Sequence, residues 1–150
     1  MTTLGVFRDD YYEPISILPQ SQYKATTQNA GTFVAANLVG AADNYLAASG
    51  NTGAQAVTLD TAVNIVNAFI AALQTNAANA FPPPQGVVGS TFTVTIINNN
   101  TSSGVITLSG GTGVTITGTN TLAITTSRTF VVTITSLTTV TFQNVGSGTP

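Results

Sequence analysis

The fold is decided by the stretch TFTVTII, which occupies Thr91–Ile97 of a 150-residue chain. Phe92, Val94 and Ile96 alternate there with threonines, and a period of two is the pattern of a β-strand with one buried face. The same alternation recurs downstream, at Val105–Leu108, Val114–Thr117, Leu122–Ile124, Thr129–Thr135 and Thr139–Gln143. Turn-forming Gly, Asn and Ser residues separate these segments. A sheet region is therefore predicted from about 90 to 145.

Short strands separated by turns are typical of an antiparallel β-sandwich or barrel, so a mainly β fold of that kind is predicted. Two more short strands are predicted upstream, at Asn44–Ala48 and Gln55–Leu59. One main α-helix is predicted at about 61–75, packed on the sheets. Its apolar stripe has helical spacing and consists of Ala62, Val66, Phe69, Ile70 and Leu73. Asp60 is expected to be its N-cap.

Residues 1–30 differ from the rest of the chain, because they contain five of the eight charges and no sustained periodicity. They are predicted to form an extended N-terminal arm on a single β-rich domain, residues 31–150. Disordered tails are poor in aromatic and β-branched residues, whereas this segment is rich in them. We therefore expect it to dock, either on a neighbouring subunit or on its own sheet. The candidate interface residues of the arm are Phe7, Tyr11, Tyr12, Ile15, Ile17, Leu18 and Tyr23.

Charge is scarce, at 5% of residues against about 25% in ordinary domains. Histidine and cysteine are absent, which excludes a Ser-His-Asp triad, a thiol nucleophile and the usual zinc or haem ligands. The sequence therefore predicts a protein that is not an enzyme, with no cofactor and no small-molecule substrate. Three basic residues are too few for a nucleic-acid surface. The predicted helix is shorter than the ~20 residues of a membrane span.

The carboxylates allow two weak alternatives. Asp9, Asp10 and Glu13 form one cluster, which would be either a calcium site or, as we favour, a solvated part of the arm, since no calcium-loop spacing accompanies it. Asp43 and Asp60 would be an acid/base pair of the glycosidase type, but a capping role is sufficient for Asp60.

Three further motifs have an ordinary structural interpretation beside a functional one. Ser109–Gly113 is Gly-rich but lacks the lysine of a phosphate loop, so a hairpin turn is predicted. The Thr-x-Thr segments suggest an ice-binding lattice, yet their spacing is irregular and threonine favours strands anyway. Arg128 opens a predicted strand. It either pairs with a carboxylate across an interface or is a solvated charge that discourages edge-to-edge aggregation.

The segment from about Gln55 to Gln143 resembles structural proteins of tailed bacteriophages and related viruses. The resemblance is carried, in order, by VTLDTAVNIVNAFIAAL, VGSTFTVTIINN, GVITLSGGTGVTITGTNTLAI and TSRTFVVTITSLTTVTF. The family's Leu-Pro-Thr-Ala at the start of the helix stands here as Leu59-Asp60-Thr61-Ala62. The resemblance implies a virion role, as a capsid decoration (cement) protein, head fibre or tail component. It brings no catalytic residues, and the arm lies outside it.

The function expected from these observations is that of a capsid decoration protein on the virion exterior. It would be a homotrimer that binds the major capsid protein and neighbouring copies. The alternative is a fibre or tail module that binds a receptor or glycan. Its contact tips would be turn residues such as Asn98–Asn100 and Gly110–Gly113.

Overall fold

The computed structural model describes residues 24–26, 31–39, 43–46, 53–76, 87–100 and 104–149. The strands in these ranges are β1 (Lys24–Thr26), β2 (Gly31–Phe33), β3 (Asp43–Leu46), β4 (Gln55–Leu59), β5 (Thr91–Asn98), β6 (Ile106–Ser109), β7 (Val114–Thr117), β8 (Thr121–Leu122), β9 (Thr126–Ser136) and β10 (Thr139–Gly148). The helices are α1 (Ala35–Val39) and α2 (Ala62–Asn76). The prediction of a mainly β chain with one main helix is confirmed.

The strands form two sheets. Sheet A has six strands in the order β1-β3-β5-β9-β10-β7, and sheet B has four in the order β2-β4-β6-β8. From β1 to β8 the chain alternates strictly between the two sheets. Consecutive strands therefore lie in different sheets until β9 and β10, which are joined as a hairpin in sheet A.

The prediction of an antiparallel architecture is wrong for most strand pairs. Five of the eight pairs are parallel, namely β1–β3, β3–β5, β2–β4, β4–β6 and β7–β10. Parallel neighbours need a crossover connection, and here each crossover passes through the other sheet. The short turns between predicted strands are mostly changes of sheet, and not the hairpins that sequence patterning predicts.

One hydrophobic core collects side chains from both sheets and both helices. The alternation that predicted the strands is confirmed, because Phe92, Val94 and Ile96 of β5 are all buried. The ring of Phe130 meets that of Phe142 edge to face at 6.1 Å between centroids, within the preferred range for aromatic pairs. These contacts join β9 to its partner β10 in the middle of sheet A.

Helix α2 confirms the predicted helix to within one residue at each end. Ala62, Val66 and Phe69 of the predicted stripe are buried, and the Phe69 ring stacks on that of Phe92 at 5.5 Å. The N-cap prediction is wrong by one residue. Thr61 Oγ1 accepts the hydrogen bond from Asn64 N at 3.3 Å, the contact that an N-cap side chain makes with the first turn.

Strand β1 lies within residues 1–30, the segment predicted to be the arm. Lys24–Thr26 pair with β3, Lys24 opposite Asn44 and Thr26 opposite Leu46. The described residues of that segment, 24–26, therefore add to sheet A of their own chain. Residues 1–23 lie outside the described part of the chain.

Candidate interaction surface

Threonines of sheet A lie side by side on the face opposite the core. Thr91 is paired with Thr133, Thr133 with Thr141, and Thr141 with Thr115. These four residues form one rank across β5, β9, β10 and β7. Thr91 and Thr115 are exposed, whereas Thr133 and Thr141 are half-buried. The spacing of Thr-x-Thr is irregular along the chain but becomes regular across the strands, so the rank is not visible in the linear sequence.

Hydroxyl groups on the outer faces are paired with one another. Thr95 Oγ1 lies 3.1 Å from Thr129 Oγ1, and Thr135 Oγ1 lies 2.8 Å from Thr139 Oγ1. On sheet B, Thr58 Oγ1 lies 3.1 Å from Ser109 Oγ. Such pairs are cross-strand contacts that stabilise a sheet. They give some of the surface hydroxyl groups a hydrogen-bond partner without the use of charged side chains.

Charged residues are nearly absent from both sheets. Sheet B contains none in its four strands, and β5, β7 and β10 of sheet A contain none either. Arg128 is the exception in the centre of sheet A. Its Nε donates to Thr121 O of β8 at 3.1 Å, so the guanidinium ties the start of β9 to sheet B.

The position of β9 bears on one of the two interpretations of Arg128 that the sequence left open. β9 lies between β5 and β10, so the hypothesis that Arg128 protects an exposed edge is wrong. Sequence patterning could not separate the two, because a strand's own residues do not say whether it is central. Pairing of Arg128 with a carboxylate of a partner stays a prediction.

The candidate interface residues of the arm, Phe7, Tyr11, Tyr12, Ile15, Ile17, Leu18 and Tyr23, all lie outside the described residues, as do Asp9, Asp10 and Glu13. Within the described ranges no group of three acidic, histidine or cysteine side chains could hold a metal ion.

The carboxylate of Asp60 joins the starts of both helices. Its Oδ2 accepts from Ala35 N at 2.9 Å, and its Oδ1 accepts from Thr61 N at 2.8 Å and from Asn64 Nδ2 at 2.7 Å. Burial favours the neutral acid and raises its pKa. The bond from Ala35 and then those from Asn64 and Thr61 outweigh burial, so the pKa of Asp60 lies below its ordinary value. This gives Asp60 a structural role at two helix N-termini.

Two of the residues that were expected to be glycan-contacting tips are packed into the molecule. Asn98 and Asn100 are 0% and 3% exposed. Asn98 Nδ2 donates to Gly104 O at 2.9 Å and to Leu122 O at 3.1 Å, and Asn98 Oδ1 accepts from Asn100 N at 3.1 Å. The amide therefore holds the end of β5 against sheet B and does not face a ligand.

The Gly-rich segment Ser109–Gly113 is a crossover between sheets, and its predicted hairpin is wrong. It connects β6 of sheet B to β7 of sheet A. Thr112 O accepts from Ala62 N at 2.9 Å, and a Cβ on Gly111 would lie 2.5 Å from Leu59 O. Glycine is required because the backbone passes directly against the start of α2.

No helix among the described residues has both the length and the apolar character needed to cross a membrane. No family model matches the chain, and no curated protein or solved structure matches it either.

Proposed function

We propose that this chain is a virion structural protein, a capsid decoration or cement protein on the outside of the shell. It binds the major capsid protein and neighbouring copies as a homotrimer. It acts by binding and not by chemistry, and each bound neighbour stabilises the folded shell by mass action.

The observation that carries this proposal is the uncharged surface of the two sheets. The cores of protein–protein interfaces are depleted of Lys, Glu and Asp, and the strands outside β1, β3 and β9 contain no charged residue at all. Threonine and serine hydroxyls can form interfacial hydrogen bonds without the desolvation cost of ions. A body of this composition suits a position between neighbours.

The architecture supports the same role. Two sheets that share one core are consistent with a sandwich, with α2 packed on it. The order of the motifs between Gln55 and Gln143 resembles that of tailed-bacteriophage structural proteins. The arm residues from Phe7 to Tyr23 supply the aromatic and aliphatic anchors that interfaces favour.

The experiment that tests this proposal is electron cryomicroscopy of virus particles from the source of the sequence, with mass spectrometry to detect the chain in them. We expect density for the two-sheet body at saturating occupancy on the outside of the head shell. Density on the tail or on a fibre would favour the alternative instead. Particles that lack the chain altogether would overturn both.

Two observations argue against the alternative function of a receptor- or glycan-binding fibre. Two of its proposed contact residues, Asn98 and Asn100, are buried, and the amide of Asn98 already makes three hydrogen bonds within the chain.

A further inference from the structure

Sheet A has an open edge at β7. Within the described part of the chain, β7 pairs only with β10. Val140 N donates to Gly113 O at 3.0 Å. In a parallel ladder every second residue bonds to the same neighbouring strand, so this bond fixes which residues of β7 face β10. Thr115 and Thr117 direct their N–H groups toward β10, so the backbone groups of Val114 and Ile116 point away from it. Val114 N is bonded to Gly111 O at 2.9 Å. Ile116 thus presents an N–H and a C=O to the open edge.

This edge lacks the protection that proteins usually give to edge strands. Charges, prolines and bulges prevent unwanted pairing, yet Val114–Thr117 reads VTIT, with none of them. The other edge strands are shorter, with three residues in β1 and β2 and two in β8. Val114 and Ile116 are only partly buried where they pack against the core. A strand added here would complete both their backbone pairing and their burial.

We propose that residues Ile15–Leu18 of a second copy of this chain add to β7 as a further strand of sheet A. Ile15 and Ile17 alternate with Ser16, so an added strand would place both isoleucines on the core side, beside Val114 and Ile116. Pro14 and Pro19, which have no N–H to donate, enclose a segment of four residues. The edge that it would cover is also four residues long.

The same segment cannot reach β7 of its own copy. Leu18 and Lys24 are six residues apart in the sequence and can be separated by at most about 22 Å. β1 and β7 are the two edges of the six-stranded sheet, so a strand beyond β7 lies about 29 Å from β1 at about 4.8 Å per strand.

The strand register lengthens that path. Successive pairings place Lys24 level with Ser147, whereas β7 pairs with Val140–Gln143. This adds about 10 Å along the strands. The linker is too short by a wide margin, so the segment that covers β7 must come from another copy.

A contact of this kind is heterologous, because the arm of one copy meets the edge of the next. Such contacts close into a ring or continue into a filament, and three of them close the proposed homotrimer. The inference rests on the proposed function for the arm as an anchor between copies, and it names the surface that receives it.

The test is a complementation experiment on the full chain in solution. Ile116→Pro removes the outward N–H without breaking a bond to β10, and the double variant Ile15→Asp, Ile17→Asp removes the apolar pattern of the arm. By light scattering after size exclusion, wild type is expected at three times the chain mass of 15.2 kDa, and each variant alone as a monomer. An equimolar mixture of the two variants is expected to form a dimer, since one intact arm then meets one intact edge.

The matched control is Ile116→Ala, which shortens the side chain but keeps the N–H, and which is expected to stay trimeric. Hydrogen exchange on wild type gives a test that needs no variant to fold. The amide of Ile116 should become protected as concentration rises through the association range, while that of Thr115, already bonded to β10, should not change.

A monomeric wild type, a mixture that stays monomeric, or an Ile116 amide that exchanges equally fast at every concentration would overturn the inference. No virus shell takes part in these measurements. If copies join through β7 but do not bind virus shells, the proposed function is therefore contradicted and this inference is not.

Discussion

The first six strands and the last four are built on different principles. From β1 to β6 the chain winds alternately through sheets A and B, and the pairs β1–β3, β3–β5, β2–β4 and β4–β6 are all parallel. From β7 to β10 the central unit is the antiparallel hairpin of β9 and β10. Wound strands depend on partners far away in the sequence, whereas the hairpin pairs Val140 with Ile134. The wound part must therefore be held by specific long-range contacts, whereas each strand of the hairpin also has a partner close by in the sequence.

β9 joins the two regions, because it pairs with β5 of the wound part on one side and with β10 on the other. The largest loss of stability is expected for Phe130→Ala in this strand. Phe130 is fully buried, and truncation of a buried Phe costs about 3–5 kcal/mol. Urea unfolding measures the loss.

Val131→Ala is the control for Phe130→Ala, since the half-buried Val131 lies next in the same strand on the opposite face. We expect it to cost about 1 kcal/mol or less. Equal losses from the two variants would contradict the assignment of the core face.

The second largest effect is expected at Gly113, where the crossover from β6 enters β7. Its φ is +78°, and an added Cβ would meet Thr138 O and lie 3.0 Å from Ala62 Cβ. Backbone strain and overpacking together predict a loss of about 3 kcal/mol for Gly113→Ala. Gly89 has a φ of +90° but nothing within 4 Å, so Gly89→Ala measures backbone strain alone, about 1 kcal/mol. If thermal unfolding gave the two variants the same loss, the close approach to Thr138 would be absent.

Asp60→Ala is expected to destabilise the wound part and not the hairpin. It removes three hydrogen bonds at the starts of α1 and α2, and loss of a side chain that accepts from free N–H groups at a helix start costs about 1–2 kcal/mol. Hydrogen exchange should increase in both helices while the β9–β10 ladder stays protected. Asn64→Ala, which removes one of the three donors, should give a fraction of that effect. Uniform exposure of both regions would show that they do not differ in local stability.

The same carboxylate predicts a pH dependence. The folded-state pKa of Asp60 lies below its ordinary value, which is about 3.9 in an unfolded chain. Its contribution is therefore complete above that value and is lost as pH falls through the lower folded pKa. In Asp60→Asn the stability should fall less steeply between about pH 5 and pH 2 than in wild type, as measured by urea midpoints. Parallel curves for the two proteins would contradict the role of the charge.

The smallest effects are expected on the outer faces, and they compare a hydroxyl pair within the wound part with one that links it to the hairpin. Thr58→Val breaks the pair with Ser109 in the wound part, and Thr95→Val breaks the pair with Thr129 beside the hairpin region. Surface changes of this kind stay within about 0.5 kcal/mol. A loss above about 2 kcal/mol in either would mean that these faces are already part of a buried interface in solution.

Sequence patterning located most elements and failed on their arrangement, for an identifiable reason. Alternation tells which residues of a strand face the core, and Val57 and Leu59 of β4 are buried as expected. It does not tell which strand lies beside another. The winding of β1–β6 between the two sheets could not be predicted, because α1 and α2 are inserted between its strands. The connections between these strands therefore differ in length and leave no repeat in the sequence.

The candidate interaction surface could likewise be predicted only in part. The outward threonines follow directly from alternation, but their alignment into a rank depends on cross-strand register. The exposed backbone of Ile116 depends on sheet order, which no local pattern encodes. The arm was predicted from its composition alone, and β1 within it was not predicted, because a strand of three residues is too short to show a period.

The central place of β9 has a consequence for the order in which the protein is made. A ribosome delivers β5 long before β9, with 38 residues between the end of β5 at Asn98 and the end of β9 at Ser136. At about 5–20 residues per second, that interval lasts about 2–8 s. Throughout it, the backbone edge of β5 that pairs with β9 in the folded protein has no partner strand. Synthesis of this protein therefore includes a period of vulnerability to aggregation that ends only when its middle strand arrives.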